Sequence, residues 1–406
     1  MPRLTYVSFD RFPAPKGAAV HIAAFASGLA KAYGGVNLLT LPPAADEPQR
    51  PIAGVNHVTL PSHGPHLVSQ IMNFRTSLEH WLRTNERSDI IHVRSPFEGY
   101  PIARDGKQHA EHLVYEVNGL PSIELKYHHP GIDEDRELMR KLLHQEQTLM
   151  NRADLLITPS SVTANYLRNR GVHADRIKVI PNGVDLNTFT FAPPPQHNTV
   201  KKLLYVGTLS GWQGLGSILT ALSSLRQTMP VELVVIGVAR QRQLRRFQEL
   251  AQDLGVANFV SWQPPMAQAE LVKWHHQCDI ALAPLVPNDR NCVQGCCPLK
   301  VLEAMAAGTP VIAANLPVVS DILGNNVEGI LVAPGNTDAL IEAIRALLNN
   351  PDQAQRIARA ARARIELQFT WQHAQDALVK SYEGLLAARA IANFNTASRA
   401  SDSAPS

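Results

Sequence analysis

Residues 298–314, PLKVLEAMAAGTPVIAA, predict a short helix, a glycine turn and a buried strand in direct succession. Pro298 suits the first position of a helix, where its missing N–H costs nothing. Gly308 suits the position just after the last helical turn, and the apolar run Val311–Ala314 is typical of a buried parallel strand. A helix that leads straight into such a strand is the repeating unit of an α/β protein.

The same unit recurs on both sides of this segment. Short runs rich in Val, Ile and Leu predict strands in the first half at residues 4–9, 36–41, 57–60, 90–94, 113–118, 155–158 and 177–181. In the second half they predict strands at residues 203–207, 232–237, 259–262, 280–283, 311–314 and 330–332. Helical periodicity fills most of the gaps, for example at residues 21–33, 137–152 and 337–348. The pattern predicts two doubly wound Rossmann-like domains that face a cleft.

Three prolines in residues 191–198, FAPPPQHN, interrupt the pattern and predict a linker. We therefore expect an N-terminal domain over residues 1–193 and a C-terminal domain over residues 199–368. Residues 369–388 are expected to form a helix that packs back toward the N-terminal domain. Residues 389–406 are rich in Ser, Ala and Asn, and their small apolar surface predicts a disordered tail.

Composition excludes several classes of protein. A net charge of +3 is too small for a nucleic-acid binder, and no apolar run reaches the length of a membrane span. The N-terminus lacks the apolar core of a signal peptide, and the four cysteines all lie within residues 278–297. We expect a cytoplasmic protein with reduced, buried thiols, a zinc cluster with His275 and His276 being the alternative.

The helix at residues 299–307 is also a candidate ligand site. Residues 295–297 lie at its positive end, where free backbone N–H groups can hold a phosphate. Lys300 and Glu303 are three residues apart and share one helix face. A carboxylate there can accept hydrogen bonds from the vicinal hydroxyls of a ribose, and an exposed ion pair of the two residues is the alternative.

Residues 299–313 resemble the donor-site signature of the retaining glycosyltransferases of family 4. Residues 153–160 (ADLLITPS), 177–185 (IKVIPNGVD) and 204–210 (LYVGTLS) resemble the family in the same order and spacing. The resemblance extends to about residue 388. It implies a GT-B fold, a nucleoside-diphosphate sugar as co-substrate and a glycan or lipid-linked acceptor, in cell-envelope or exopolysaccharide biosynthesis. It also implies retention of anomeric configuration without a resident cofactor, and we expect no metal.

The resemblance further implies roles for individual residues. A Glu at the position of Glu303 binds the ribose hydroxyls in that family. The donor-binding residues expected with it are Pro298, Leu299, Gly295, Cys296, Cys297, Gly207, Thr208, Gln213 and Gly17. Gly295 departs from the family pattern, because relatives usually have there a second Glu that touches the transferred sugar. Backbone N–H groups of Cys296 and Cys297 are the expected substitutes.

A second departure concerns the charge that neutralises the diphosphate. Many relatives have Arg and Lys where this chain has Thr208 and Gln213, so Arg290 and Lys300 are the expected replacements. A solvated loop arginine is the alternative for Arg290. Together with Asn118, which stands where many relatives have a His, these two cations are the predicted catalytic residues.

The acceptor side is expected in the N-terminal domain. The residues predicted to line it are Lys16, His21, Arg94 and Glu98, with Glu116 and Glu124 as further carboxylates nearby. A polar residue at the end of a strand can equally have a structural role. The run of arginines in residues 240–246 predicts either a solvated helix face or a peripheral contact with anionic lipid at the inner membrane surface.

Two other functions remain open at this point. A nucleotide-sugar epimerase can share this two-domain plan, but it requires more His and carboxylate residues in the cleft. A catalytically silent sugar-nucleotide binder is favoured only by the departures at Gly295, Thr208 and Gln213.

Overall fold

The computed structural model describes residues 1–43, 51–196, 198–238 and 240–401, with side chains up to residue 387. The N-terminal domain contains a parallel sheet of seven strands: β1 (Leu4–Arg11), β2 (Val36–Leu41), β3 (Val55–Thr59), β4 (Ser88–Val93), β5 (Ala110–Glu116), β6 (Leu155–Thr158) and β7 (Ile177–Val179). The C-terminal domain contains a parallel sheet of six: β8 (Lys201–Val206), β9 (Val231–Ile236), β10 (Val260–Gln263), β11 (Ile280–Ala283), β12 (Val311–Ala314) and β13 (Ile330–Val332).

Helices separate most of these strands. In the N-terminal domain they are α1 (Gly17–Tyr33), α2 (Leu67–Thr84), α3 (Pro96–Arg104), α4 (Pro121–His128), α5 (Arg136–Arg152) and α6 (Ser161–Asn169). Those that follow are α7 (Leu215–Arg226), α8 (Gln241–Asp253), α9 (Gln268–Gln277), α10 (Leu299–Ala307), α11 (Pro317–Ser320), α12 (Thr337–Leu348), α13 (Pro351–Gln368) and α14 (Trp371–Ser401). The predicted α/β class with two doubly wound domains is confirmed.

Strand positions follow from burial on both faces of each sheet. The central strands β6, β11 and β12 are buried along their whole length, which is why an uninterrupted apolar run marks them. Their observed bounds equal the predicted ones. The edge strand β3 is half-exposed and spans Val55–Thr59, whereas the sequence predicts residues 57–60. Partial exposure weakens the apolar signal, so edge strands are located less accurately.

Both sheets have the same strand order, and this places the site. The N-terminal order is β3-β2-β1-β4-β5-β6-β7 and the C-terminal order is β10-β9-β8-β11-β12-β13. In each sheet the order reverses beside the first strand, between β1 and β4 or between β8 and β11. Ligands of doubly wound sheets bind where the strands end at such a switch point. The loops after these four strands are therefore the positions to inspect.

The chain crosses between the domains twice, and the two crossings touch. Val184 pairs with Thr370, with the Val184 N–H donating to Phe369 O at 2.9 Å. A Cβ added at Gly183 would lie 2.3 Å from the backbone nitrogen of Trp371, so this approach requires glycine. The first crossing continues through the proline-rich residues 191–198, where the Ala192 N–H donates to Ala307 O.

After the second crossing, α14 packs on the N-terminal domain. Its side chains Trp371, Leu378 and Tyr382 are buried in one cluster with Phe25 of α1. The helix is described to Ser401, beyond the predicted end at residue 388. A disordered tail was expected at residues 389–406. Side chains beyond residue 387 and all of residues 402–406 lie outside the described part of the chain, so the disorder stays a prediction.

Candidate active site

The loop after β8 brings backbone close to the end of the neighbouring strand. Gly207 has a φ of +145°, and a Cβ added at Gly237 would lie 1.7 Å from the Gly207 carbonyl oxygen. Two glycines are therefore needed for the ends of β8 and β9 to meet. The Tyr205 hydroxyl donates to Thr208 O at 2.6 Å and so stabilises the turn. The predicted residues Gly207 and Thr208 thus lie on an ordered turn at the switch point.

Lys300, on the first turn of α10, points at this loop. Its Nζ donates to Gln213 Oε1 at 2.5 Å, lies 4.5 Å from the centre of the Tyr205 ring, and would be 2.8 Å from a Cβ at Gly207. A small, mostly apolar cavity behind it is lined by Val206 and residues of β11. Burial lowers the pKa of Lys300 to about 7. The structure therefore brings Lys300, Gln213 and Gly207 together as predicted.

Glu303 lies one turn further along α10. It is 7% exposed, and its Oε1 accepts a hydrogen bond from Gln268 Nε2 at 3.1 Å, at the first residue of α9. Burial raises the pKa of Glu303 to about 7. The carboxyl is therefore not an exposed ion-pair partner of Lys300, which was the alternative interpretation. A buried carboxyl with this pKa becomes a stable anion when a ligand supplies hydroxyl donors.

The loop before α10 explains the first departure from the family pattern. A π-helical turn, Arg290–Gln294, ends at Gly295, which has a φ of +84°. A Cβ there would lie 2.6 Å from Ser160 Oγ and 2.9 Å from the backbone nitrogen of Thr163 in α6. Position 295 thus lies against the N-terminal domain with a positive φ, and the neighbouring atoms of this chain leave no room for a side chain. A carboxylate at this position would require Ser160 and the start of α6 to move.

The residues that follow Gly295 face the N-terminal domain. Cys296 is half-buried and Cys297 is buried, and burial raises the pKa of both thiols. The Cys297 carbonyl accepts from Asn182 Nδ2 at 2.8 Å. Pro298 precedes the helix instead of occupying its first turn, which is a one-residue shift from the predicted start.

Leu299 and Gly17 meet where the two domains approach each other. A Cβ added at Gly17 would lie 3.0 Å from Leu299 Cδ1, and Leu299 packs against apolar clusters of both domains. The structure thus places the glycine at the start of α1 opposite the start of α10. Lys16 lies beside it as an exposed residue at the first turn of α1. The structure thus places Gly17 and Lys16 where the N-terminal domain approaches the start of α10.

Arg290 is not a solvated loop arginine. Its Nε lies 3.0 Å from Glu124 Oε1 of the N-terminal domain, and its guanidinium carbon lies 5.3 Å from the centre of the Trp212 ring. Burial opposes its charge, but Glu124 outweighs burial and raises the pKa of Arg290. The same Glu124 oxygen accepts from Gln294 Nε2 at 2.8 Å. Gln294, completely buried, also accepts from the Leu120 N–H.

Sequence reasoning missed Gln294, although it makes two contacts between the domains. Its position in the π-helical turn has no local sequence signal, since both partners belong to residues 120–124 of the other domain. Lys126 and Tyr127 also cross the boundary and donate to Asp289. The turn is thus anchored on α4 by several side chains.

In the N-terminal domain, Glu116 is the centre of a buried polar cluster. It accepts from Tyr6 OH at 2.8 Å and from Arg94 Nε at 3.3 Å, and Asn118 Nδ2 also donates to it. His21 Nε2 and His92 Nε2 lie 2.7 and 3.0 Å from its oxygens. Burial disfavours its charge, but His21 and Arg94 outweigh burial and hold the pKa of Glu116 well below its usual range.

Asn118 is half-buried at the end of β5, and its amide is committed to Glu116. Arg94 is 7% exposed and contacts Asp10 at 2.6 Å as well as Glu116, so it belongs to the buried cluster and not to an acceptor surface. His21 is 3% exposed and lies behind the domain boundary. The predicted acceptor-side placement of Arg94 and His21 is therefore corrected.

Glu98 requires a second correction. It is completely buried and accepts from the backbone N–H groups of Arg94 and Ser95 at 3.0 and 2.8 Å, while Ser95 accepts from the Phe97 N–H. These contacts form the capping box of α3. Burial raises the pKa of Glu98 to about 7. Its carboxyl stabilises a helix end and does not line a cleft.

Other expectations concern metals and membranes. Among the described residues, no group of three or more His, Cys, Asp or Glu side chains is arranged to hold a metal ion. Metal independence stays a prediction. Within the same part of the chain, none of the helices combines the length and apolarity needed to cross a bilayer. The arginines 242, 245 and 246 are exposed on α8, and a membrane contact there stays a prediction.

Two doubly wound domains, with switch-point loops that converge on a half-buried lysine and a buried carboxyl, define a two-domain GT-B fold. Family models account for the chain in two adjacent pieces. Residues 15–188 match the family described as Glycosyltransferase Family 4, and residues 188–364 match Glycosyl transferases group 1. The chain belongs to this family and is a glycosyltransferase.

Known relatives agree with this assignment. Glycogen synthase of Mycobacterium tuberculosis is 31% identical over 252 residues, which are 60% of this chain and only 58% of that synthase. D-inositol 3-phosphate glycosyltransferase of Pseudarthrobacter chlorophenolicus is 25% identical over 379 residues, 86% of each chain. Sucrose-phosphate synthase of Thermosynechococcus elongatus has a similar structure, with a TM-score of 0.79 at 20% identity, covering 95% of this chain and all of that one. This likeness establishes the GT-B fold.

Proposed function

We propose that the protein transfers a sugar from a nucleoside-diphosphate donor to a glycan or lipid-linked acceptor, with retention of anomeric configuration. The observation that carries the proposal is a pair of titratable side chains one turn apart on α10, the buried Glu303 and the half-buried Lys300, whose hydrogen-bond partners are the neutral amides of Gln268 and Gln213. Burial raises the pKa of Glu303 and lowers the pKa of Lys300, in each case to about 7. A ribose offers hydroxyl donors to the first, and a diphosphate offers anionic oxygens to the second.

Retention is proposed from the family membership, and the pocket supports a mechanism without a protein nucleophile. The leaving diphosphate assists attack by the acceptor hydroxyl, and the protein positions the donor and stabilises the charge that develops on the phosphate. Lys300 and the backbone N–H groups of Cys296, Cys297 and Leu299 supply that stabilisation. Arg290 contributes when it exchanges Glu124 for a phosphate oxygen. The name of the glycogen synthase supports a glycan as the acceptor, whereas the inositol 3-phosphate glycosyltransferase is named for a small phosphorylated acceptor.

The proposal is tested by thermal unfolding with UDP, GDP, ADP and their glucose and mannose derivatives. A donor at about 100 times its Kd stabilises the folded protein by roughly 2.7 kcal/mol. Slow release of nucleoside diphosphate from the same compound then identifies the transferase activity. If none of these compounds stabilises the protein, the donor site proposed on α10 is wrong.

A variant shows whether Glu303 is the donor contact. Glu303→Gln keeps the shape of the side chain and removes its charge, so donor affinity falls by roughly 1.5–3 kcal/mol. Glu270→Gln is the matched control, because Glu270 is an exposed residue of α9 paired with Lys273. Equal donor affinity in both variants would exclude Glu303 from the site.

A further inference from the structure

A line of polar contacts connects the last helix to the centre of the N-terminal domain. Tyr382 OH lies 2.7 Å from His92 Nδ1, and His92 Nε2 lies 3.0 Å from Glu116 Oε2. On the other side of the same carboxylate, His21 Nε2 lies 2.7 Å from Glu116 Oε1. All four side chains are buried. Glu116 therefore connects two histidines that belong to different elements, β4 and α1.

The line then crosses the domain boundary at Asn182. His21 Nδ1 lies 2.7 Å from Asn182 Oδ1, and Asn182 Nδ2 donates to the Cys297 carbonyl at 2.8 Å. Cys297 belongs to the loop whose backbone N–H groups precede α10. Asn182 thus joins His21 to the backbone of the proposed diphosphate loop.

Donor and acceptor rules determine the orientation of the amide. A carbonyl oxygen only accepts, so the end of Asn182 that faces Cys297 is its NH₂ group, and its oxygen faces His21. The other ring nitrogen of His21 lies 2.7 Å from Glu116 Oε1. His21 therefore bridges the buried carboxylate cluster and Asn182.

We propose that His21 is a positioning residue that aligns residues 295–299 through Asn182. The inference rests on the proposed function, because that loop is the diphosphate site. At 3% exposure, His21 acts through Asn182 and not on the donor itself. The charged and titratable groups around this cluster are Glu116, Asp10, Arg94, His92, Tyr6 and Tyr382.

Asn182→Ala tests the link because it leaves the contact between His21 and Glu116 in place. The probe is whichever of UDP, GDP and ADP stabilises the wild type most. We expect its Kd to rise by roughly fivefold to tenfold. Amide hydrogen exchange at residues 295–303 is expected to accelerate in the ligand-free protein. Asn182→Asp should behave like Asn182→Ala, since a carboxylate still accepts from His21 but cannot donate to Cys297.

Hydrogen exchange elsewhere in the C-terminal domain separates positioning from a merely structural role. The side chain of Asn182 contacts His21 and the Cys297 carbonyl, and neither contact involves β8 or β9. In Asn182→Ala we therefore expect wild-type exchange in these two strands, while exchange at residues 295–303 accelerates. His144→Asn, which removes an exposed histidine of α5, should leave exchange at both places unchanged.

Unchanged exchange at residues 295–303, or exchange that accelerates equally in β8 and β9, would overturn the inference while the proposed function stands. The proposed function fails separately, when no nucleoside diphosphate binds to the wild type. Hydrogen exchange in the ligand-free Asn182→Ala variant still tests the link in that case.

Discussion

Glu116 and Glu303 are buried carboxyls in opposite domains, and their surroundings differ completely. Glu116 has contacts with Tyr6, His21, His92, Arg94 and Asn118, which keep its pKa well below the usual range. Glu303 accepts one hydrogen bond, from Gln268, among the residues that the structure describes, and its pKa is raised to about 7. The first carboxylate is satisfied by the protein. The second is left for a ligand to satisfy.

This comparison separates residues that hold the site from residues that bind. A buried charge with a full set of partners gains little from a ligand, and its removal leaves those partners uncompensated. A buried charge with few partners costs stability in the free protein, and that cost is recovered when a ligand supplies the missing partners. Lys300 belongs with Glu303 on this criterion, whereas Arg94 belongs with Glu116.

The largest effect is expected for Glu116→Gln. The change leaves the buried guanidinium of Arg94 without its carboxylate partner, so the free energy of unfolding falls by about 3–5 kcal/mol. Urea unfolding measures the loss. Glu79→Gln is the control, because Glu79 lies 3.9 Å from Arg104 in a half-exposed contact worth at most about 1 kcal/mol. If the Glu116→Gln variant is as stable as the wild type, Glu116 does not hold its buried partners in the way that this comparison requires.

Lys300→Met is expected to affect activity instead of stability. Loss of the cation that donates to Gln213 in the β8 loop slows the release of nucleoside diphosphate by roughly 10²–10³-fold. The melting temperature should not fall, because the change removes a charge that burial already disfavours. Lys201→Met, at the opposite end of β8 and paired with Asp279, should keep the wild-type rate at some cost in stability. A wild-type rate in Lys300→Met together with a lower melting temperature would contradict the assignment of Lys300 to the diphosphate site.

Glu303→Gln tests the comparison through the pH dependence of the free energy of unfolding. Between its usual pKa of 4.5 and about 7, the folded protein keeps the Glu303 proton while the unfolded chain loses it. Wild-type stability therefore falls as pH rises through this window, by up to about 3 kcal/mol above pH 7. Glu303→Gln lacks this contribution and should be more stable at neutral pH, although it binds the donor less tightly.

Urea unfolding of both proteins at several pH values measures this difference. Glu98 has a similar raised pKa, but it contributes equally to both proteins and cancels in the comparison. A stability difference that stays constant from about pH 4.5 to about pH 7 would show that Glu303 is not held in a desolvated environment.

The smallest effect is expected for Lys126→Met. Its ammonium pairs with Asp289 across the domain boundary, and both side chains are 32% exposed. Such a contact contributes about 1 kcal/mol or less to the free energy of unfolding. Thermal unfolding of Lys126→Met measures this loss. A double-mutant cycle with Tyr127→Phe then separates it from the neighbouring contact of Tyr127 with Asp289. A loss several times larger would mean that the domain boundary depends on this rim contact as strongly as the N-terminal domain depends on Glu116.

Local pattern was sufficient for the fold and for part of the site. Buried parallel strands are continuous apolar runs, and the three-residue spacing of Lys300 and Glu303 places both on one face of α10. The role of Glu98 was available as well, because Ser95 and Glu98 have the spacing of a capping box.

The rest could not be predicted because the partners come from distant segments. His21 acts through Asn182 of a segment 161 residues away, and Gln294 contacts Glu124 of the other domain, 170 residues away. Gly295 shows the same limit. Its glycine is required by α6 of the N-terminal domain, and nothing adjacent in the chain indicates that contact.

The paired crossings at Val184 and Thr370 bear on how the two lobes can move. Sliding one segment past the other would break the hydrogen bond from the Val184 N–H to Phe369 O, whereas a rotation about the pair would keep it. We therefore expect any opening of the cleft to be a rotation about these two segments. Such a rotation moves atoms in proportion to their distance from its axis. The contacts farthest from Val184 and Thr370 should separate first, and substrates should enter and leave at that edge.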